Sequence, residues 1–365
     1  MKPLGPAGWP LSLLYGAGAA LFRRSYESGL LKRERFSLPV ISVGNIEAGG
    51  TGKSPLVVAL CKRLSHAGIR PGVVSRGYGR SRPGENLLVS RGEGLLVPVE
   101  RAGDEPALLA HKVPTVSVAV AADRREGIRL LEGLCDLVIL DDGFQSLEIL
   151  PTHSLVFLPE ALSRRTMGVR DLLPAGPLRE PPGVLSRATH WVFRRQEDPS
   201  AEEGERELRL RKNLLTMLGP AGMRPILSVV FRLARLREFD GGEAGPVETL
   251  SGRRVAVVAG IANPGRIGQA LQSRGARMVG LLALPDHAPF TPEIQQKIVH
   301  FAREMSSRRA EILLTTEKDR IKWSHCPETP LPFFILEGET RLLNSEDWDS
   351  LLTPLRQGTR HDGRP

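Results

Sequence analysis

Apolar and polar positions along the chain fall into short apolar runs separated by amphipathic stretches. Short runs at residues 38–43, 72–75, 115–118, 137–140, 155–158 and 191–193, rich in Val, Leu and other apolar residues, read as strands. Helical spacing lies between them, at Val57, Val58, Leu60, Cys61 and Leu64, at residues 104–111 and at residues 121–134. This alternation predicts a mostly parallel α/β sheet running to about residue 195. Residues 196–212 are densely charged and read as an exposed connector or a solvated helix. A second α/β unit is expected after them, with strands at 255–258, 278–281, 312–314 and 333–336 and helices at 264–274 and 292–305. The expected division is an N-terminal segment (1–35), a first α/β domain (36–195), a charged connector with inter-domain strands (196–250), a smaller α/β domain (251–345) and a C-terminal segment (346–365). The tail of that last segment has no apolar periodicity and is expected to be disordered.

The first strand runs directly into Gly44-Asn45-Ile46-Glu47-Ala48-Gly49-Gly50-Thr51-Gly52-Lys53-Ser54-Pro55. Strand, glycine-rich turn and helix in this order read as a phosphate cradle, a turn needed only for tight packing being the other reading. Gly49, Gly50, Thr51 and Gly52 would present backbone N–H groups to anionic oxygens, and the helix start adds its positive dipole end. Lys53 would reach the β and γ phosphates and Ser54 would ligate Mg²⁺. A strict G-x-x-x-x-G-K-[ST] pattern needs glycine where this chain has Glu47, so the loop is a Gly-Gly-Thr-Gly-Lys-Ser variant. The fold class expected is therefore an α/β/α sandwich like that of P-loop NTPases, with the smaller α/β domain attached.

The chain's 365 residues suffice for two cores. Its net charge of +9 suggests polyanionic company, while aromatics at 5% without a basic–aromatic stripe argue against a nucleic-acid reader. Cys61, Cys135 and Cys326 are odd in number and scattered, with no C-x-x-C pair, so neither a disulfide framework nor a thiolate metal site is indicated. Residues 9–22 are apolar, too short to span a bilayer, and followed by Arg23, Arg24, Lys32, Arg33 and Arg35. Such a segment suits an amphipathic helix lying on an anionic membrane surface; a helix packed on the protein's own core and a cleaved signal peptide are the other readings.

Four further places carry candidate chemistry. Asp141 and Asp142 end an apolar strand, where an acid would hold Mg²⁺ or merely shape a turn, and Gln145 follows where it could orient a hydroxyl or a metal-bound water. Asp104 opens a helical pattern, as an N-cap or as a general base. His287 lies in a turn-rich loop between a strand and a helix, and residues 315–319 (Thr-Thr-Glu-Lys-Asp) end the next strand. Residues 172–181 form a proline-rich loop, either ligand-binding or a linker.

Taken in order, GNIEAGGTGKSP (44–55), VVSRGYG (73–79), GDEP (103–106), DDGFQ (141–145), LLPAGPLREP (172–181), PDHAPF (285–290) and TEKD (316–319) closely resemble the tetraacyldisaccharide 4′-kinase family of lipid A biosynthesis. The resemblance implies a peripheral enzyme on the cytoplasmic face of the inner membrane, monomeric and without a nucleic-acid partner. It would move the γ-phosphate of ATP, with Mg²⁺, to the 4′-hydroxyl of a tetraacylated glucosamine disaccharide 1-phosphate. It further implies that Lys53 and Ser54 hold phosphate and metal and that Asp141, Asp142 and Gln145 serve the metal and reacting groups. Asp104 would accept the proton, paired with His287 by closure of the second domain. Arg179 and Glu180, and also Arg76, Tyr78 and Arg124, would line the substrate cleft. Ser54 in place of threonine keeps the ligating hydroxyl; residues 261–264 (Ile-Ala-Asn-Pro), Phe144 and Ser146 also depart from the family pattern. Two other readings fit the loop: a transferase or ligase acting on a soluble substrate, and a nucleotide-switched membrane scaffold.

Overall fold

In a computed structural model that describes residues 4–197, 201–261, 264–286, 288–344, 346–349 and 351–352, the chain alternates strands and helices as its apolar pattern requires. The first half comprises α1 (Trp9–Glu27), β1 (Val40–Asn45), α2 (Lys53–His66), β2 (Pro71–Ser75), β3 (Leu87–Arg91), α3 (Val99–Ala102), α4 (Asp104–Lys112), β4 (Ser117–Val120), α5 (Arg124–Leu131), β5 (Leu137–Asp141), β6 (His153–Phe157) and β7 (His190–Arg195). There follow α6 (Ala201–Leu218), β8 (Ile226–Glu238), β9 (Glu243–Pro246), β10 (Arg254–Ala259), α7 (Gly265–Gln272), β11 (Arg277–Ala283), α8 (Pro292–Ser307), β12 (Ile312–Thr316), α9 (Glu317–Arg320) and β13 (Phe333–Leu342).

Among the described residues, the strands form one sheet in the order β11-β10-β12-β13-β8-β7-β6-β1-β5-β2-β4-β3, with β9 paired to β8. β1 lies between β5 and β6, parallel to both, and every one of its residues is buried. That is why its sequence is apolar without alternation. β8 joins the two halves: Ile226–Val230 pair parallel with β7, while Val229–Glu238 pair antiparallel with β13.

The two faces hold separate cores. On one, α2 buries Leu56, Val57, Leu60, Cys61 and Leu64 against Ile41, Val43, Ile139 and Leu155. Trp348, Leu351 and Leu352 of the C-terminal segment join this core. Each such side chain contributes about 1.5–3 kcal/mol through burial. On the other face, Phe144, Trp191 and Phe193 pack with Leu210 and Leu214 of α6. The charged stretch from residue 196 thus leads into a packed helix, because its inward-facing leucines fall near the end of that stretch and beyond, where spacing of four sets them on one face.

α1 docks differently. Of its residues only Ser12 is buried, its Oγ donating to Leu172 O at 2.9 Å and accepting from Ala175 N–H at 3.1 Å. Gly16 lies so near Leu172 that a Cβ would come within 2.8 Å of its Cδ1. Leu11, Leu13, Leu14, Leu21 and Phe22 are all more than half exposed. The helix is therefore not buried in the protein's own core by its apolar side chains. No helix among the described residues is long and apolar enough to cross a membrane.

Candidate active site at the glycine loop

β1 delivers Asn45 to the mouth of the loop and α2 begins at Lys53. Gly49 and Gly52 adopt φ of +111° and +95°. A Cβ at either would meet no atom within 4 Å, so the left-handed backbone, rather than crowding, is what calls for glycine. Glu47 bridges antiparallel to Leu178, Ala48 N–H donates to Pro177 O at 2.8 Å, and Arg179 N–H donates to Ile46 O at 2.7 Å. The proline-rich stretch is thus pinned to the first half of the loop as a structural wall, and is no linker.

Lys53 Nζ donates to Asn45 Oδ1 at 3.2 Å and lies 3.4 Å from Asp142 Oδ1. Asn45 Nδ2 in turn donates to Thr51 Oγ1 at 2.9 Å. Asp142 turns the chain at φ +52°, and Arg179 grips its carboxylate with two bonds of 3.0 and 3.1 Å. Burial alone would raise the Asp142 pKa, but Arg179, Lys53 and Arg124 outweigh it and hold the carboxyl below its usual range. Arg124 is only 1% exposed, and its Nη2 donates to the carbonyls of Asp141 at 2.6 Å and Asp142 at 3.1 Å. It buttresses the strand end from beneath. Arg76 and Tyr78 are exposed.

Asp141 points the other way, toward α2. Ser54 Oγ lies 3.4 Å from Asp141 Oδ2 and 3.2 Å from Glu105 Oε2, so two carboxylates converge on one hydroxyl. Burial, followed by the charges of Glu105 and Asp142, pushes the Asp141 pKa up to about 7. Its Oδ1 is buried without a hydrogen-bond partner. A carboxylate pair beside a hydroxyl, over-charged and with an orphaned oxygen, fits a hard divalent cation completed by phosphate oxygens. No group of three or more His, Cys, Asp or Glu side chains among the described residues would enclose a metal without such added ligands.

Asp104 is the first residue of α4 while Gly103, at φ +88°, occupies the capping position. The N-cap reading of Asp104 therefore does not hold. Asp104 is 8% exposed, and its carboxylate lies 3.7 Å from Lys322 Nζ, which also approaches Asp319 at 3.0 Å. Lys318 Nζ lies 3.7 Å from Glu105 and 3.1 Å from Asp286. The second half of the sheet thus reaches the start of α4 through Lys318 of α9 and Lys322 just beyond it. His287, the residue after Asp286, lies outside the described residues.

A second network flanks the loop. Gln145 Nε2 donates to Asn45 O and to Glu180 Oε1, both at 2.9 Å, and Arg187 pairs with Glu180 at 3.3 Å. Gln145 therefore faces Glu180, away from the Ser54–Asp141 pair. Tyr15 of α1 donates its hydroxyl to Arg179 O at 2.7 Å, tying the N-terminal helix to this wall. Asn45, Glu105, Lys318, Lys322 and Arg187 were not singled out from the sequence. Asn45, Glu105 and Lys318 lie inside motifs that were, but only the fold brings Glu105 to Ser54 and Lys318 to Glu105.

A glycine loop between a buried strand and a lysine-headed helix, with an acid at the end of the neighbouring parallel strand, defines a P-loop nucleotide-binding protein. Residues 5–356 match the family model described as tetraacyldisaccharide-1-P 4′-kinase. The tetraacyldisaccharide 4′-kinase of Syntrophus aciditrophicus is 34% identical over 346 residues, 93% of this chain and 90% of that protein. The protein of the same name from Anaeromyxobacter dehalogenans is 38% identical over 88% of this chain and 82% of its own length. Among solved structures, Aquifex aeolicus LpxK, an "apo" form in complex with ATP, superimposes with a TM-score of 0.71 at 30% identity, covering 96% of this chain and 98% of that one. The chain belongs to the tetraacyldisaccharide 4′-kinase family.

Proposed function

We propose that this chain transfers the γ-phosphate of ATP to the 4′-hydroxyl of a tetraacylated glucosamine disaccharide 1-phosphate, a late step of lipid A biosynthesis. The observation that carries the reading is the convergence of Glu105 and Asp141 on the Ser54 hydroxyl beside Lys53, at the head of a phosphate loop.

The residues divide the work. Gly49, Gly50, Thr51 and Gly52 wrap the phosphates with backbone N–H groups, and Lys53 neutralises charge on them. Ser54, Asp141 and Glu105 would hold Mg²⁺, which supplies charge neutralisation across the phosphate oxygens. Asp142 keeps Lys53 aimed, since its carboxylate is shared between Lys53 and Arg179. Gln145 positions Glu180, and Glu180 with Arg179, Arg76 and Tyr78 lines the acceptor's approach. Asp104 accepts the proton of the attacking 4′-hydroxyl as oxygen bonds to the γ-phosphorus and ADP departs. Its partner is His287, brought in from the second half of the sheet. Residues 36–195 and 251–345 act as two units that close over the nucleotide. Lys318 and Lys322 are part of the charged contact between them.

The enzyme would act as a monomer on the cytoplasmic face of the inner membrane, where its substrate resides, with α1 resting on the bilayer surface. Its exposed leucines and the tie from Tyr15 to Arg179 support this, and they disfavour a soluble acceptor. The test uses γ-labelled ATP, Mg²⁺ and either the lipid disaccharide or a water-soluble analogue without acyl chains. Label should enter the lipid, and deleting residues 1–25 should lower that transfer sharply. Equal transfer to the soluble analogue, unchanged by the deletion, would favour another transferase; binding of ATP without transfer would leave a nucleotide-switched scaffold.

A further inference from the structure

A cavity of about 260 Å³ lies on the sheet face opposite α2, beneath the last turns of α1. It is far larger than the ~15 Å³ that one water needs. Ser42 and Leu140 form its floor, Phe144, Ser146 and Leu147 one wall, and Arg23, Arg33 and Arg187 its cationic rim. Glu27 is the acidic side chain among the lining residues. The three guanidiniums share one field, since after burial and the opposing pull of Glu180, Arg23 and Arg33 are what depress the Arg187 pKa.

The lining is largely apolar, but the polar atoms set into it are unsatisfied. Ser42 is 2% exposed and Ser146 is 7% exposed, and both hydroxyls are without a hydrogen-bond partner, as is the buried Nη1 of Arg23. Buried polar atoms rarely remain unpaired, so three lining one cavity point to a ligand that accepts hydrogen bonds and carries negative charge. The position narrows its source. Leu21 and Phe22, 73% and 55% exposed, stand on α1 immediately before Arg23 at the cavity's rim. An acyl chain lying along them would bring its headgroup to the arginines.

We propose that this cavity binds the phosphate of an anionic membrane lipid, so that α1 is anchored by a headgroup site as well as by its apolar face. The inference rests on the membrane placement of α1 proposed above. Through Arg187, which pairs with Glu180, and Glu180, which accepts from Gln145, the bound headgroup would sit three side chains from the loop residue Asn45.

The test is sedimentation of the full chain, without nucleotide, with vesicles of phosphatidylcholine alone or doped with phosphatidylglycerol. Wild type should bind both and prefer the doped vesicles. Ser146→Leu, which fills the cavity without changing charge, and Arg23→Gln should each reduce that preference about tenfold, roughly one charge-assisted hydrogen bond. Binding to phosphatidylcholine should be unaffected, and Arg24→Gln, an exposed neighbour that does not line the cavity, should have little effect. Failure to bind either vesicle refutes the membrane placement. Binding without preference refutes the headgroup site, as does a folded Ser146→Leu protein with its preference intact. Should Ser146→Leu fail to fold, an unchanged preference in Arg23→Gln, or an equal loss in Arg24→Gln, overturns the site. Inorganic phosphate raising the Tm of wild type, in the absence of any vesicle preference, would reassign the cavity to a free anion.

Discussion

Replacing Asp141 with Asn should stabilise the metal-free protein while abolishing its activity. The fold holds this carboxyl at about 7 against an ordinary value of 3.8, because burial comes first and Glu105 and Asp142 add like charge. A carboxyl whose folded value lies above its unfolded one binds its proton more tightly in the native state. Stability is therefore fullest below about pH 4, declines as pH rises, and is lowest above about pH 7. A shift of about 3 units at ~1.36 kcal/mol each sets the destabilisation at pH 8 at no more than roughly 4 kcal/mol. Asn keeps the size and an oxygen for Ser54 but carries no charge, so Asp141→Asn should recover about 2–4 kcal/mol at pH 8 and nothing at pH 4. Urea unfolding in EDTA at the two pH values measures this directly. Mg²⁺ with a nucleotide should raise the stability of wild type and leave the variant nearly unchanged. A variant no more stable than wild type at pH 8 would refute the view that uncompensated negative charge is concentrated at Ser54.

Lys53→Ala should lower kcat by about 10³-fold or more, since phosphoryl transfer depends chiefly on charge neutralisation and positioning; activity near wild type would remove Lys53 from the phosphates. Asp104→Asn should reduce kcat by roughly 10²–10⁴-fold with the KM for ATP changed only slightly, and a raised KM with unchanged kcat would contradict a proton acceptor. Leu60→Ala, beneath the helix that carries Lys53 and Ser54, should cost about 2–5 kcal/mol in chemical unfolding; a cost under about 1 kcal/mol would mean that α2 is not seated on the sheet as described.

The strand–loop–helix was readable because each part has a local cause. Val40–Val43 must be apolar to lie in mid-sheet, Gly49 and Gly52 must accept positive φ, and Lys53 follows directly on the helix start. Strand ends were less so. The fourth strand begins at Ser117, two residues beyond the apolar run's start, and the edge strand Leu87–Arg91 was not read at all, since it pairs on one side only and lacks a sustained apolar run. What the sequence hid at the site is tertiary. Glu105 reaches Ser54, and Lys322 reaches Asp104, only because the sheet sets α4 beside α2 and beside the turn after α9. Arg124, expected at the substrate cleft, is buried and donates to the carbonyls of Asp141 and Asp142, a depth that no motif encodes.

The most direct measurement is transfer of label from γ-labelled ATP to the lipid disaccharide, with the phosphate's position on the product read by ³¹P NMR. With Mg²⁺ present, the phosphate should appear on the 4′ oxygen for wild type and be absent for Lys53→Ala and Asp141→Asn. Product formed equally by all three proteins, or label at another position, would contradict a kinase built on this loop and its paired carboxylates.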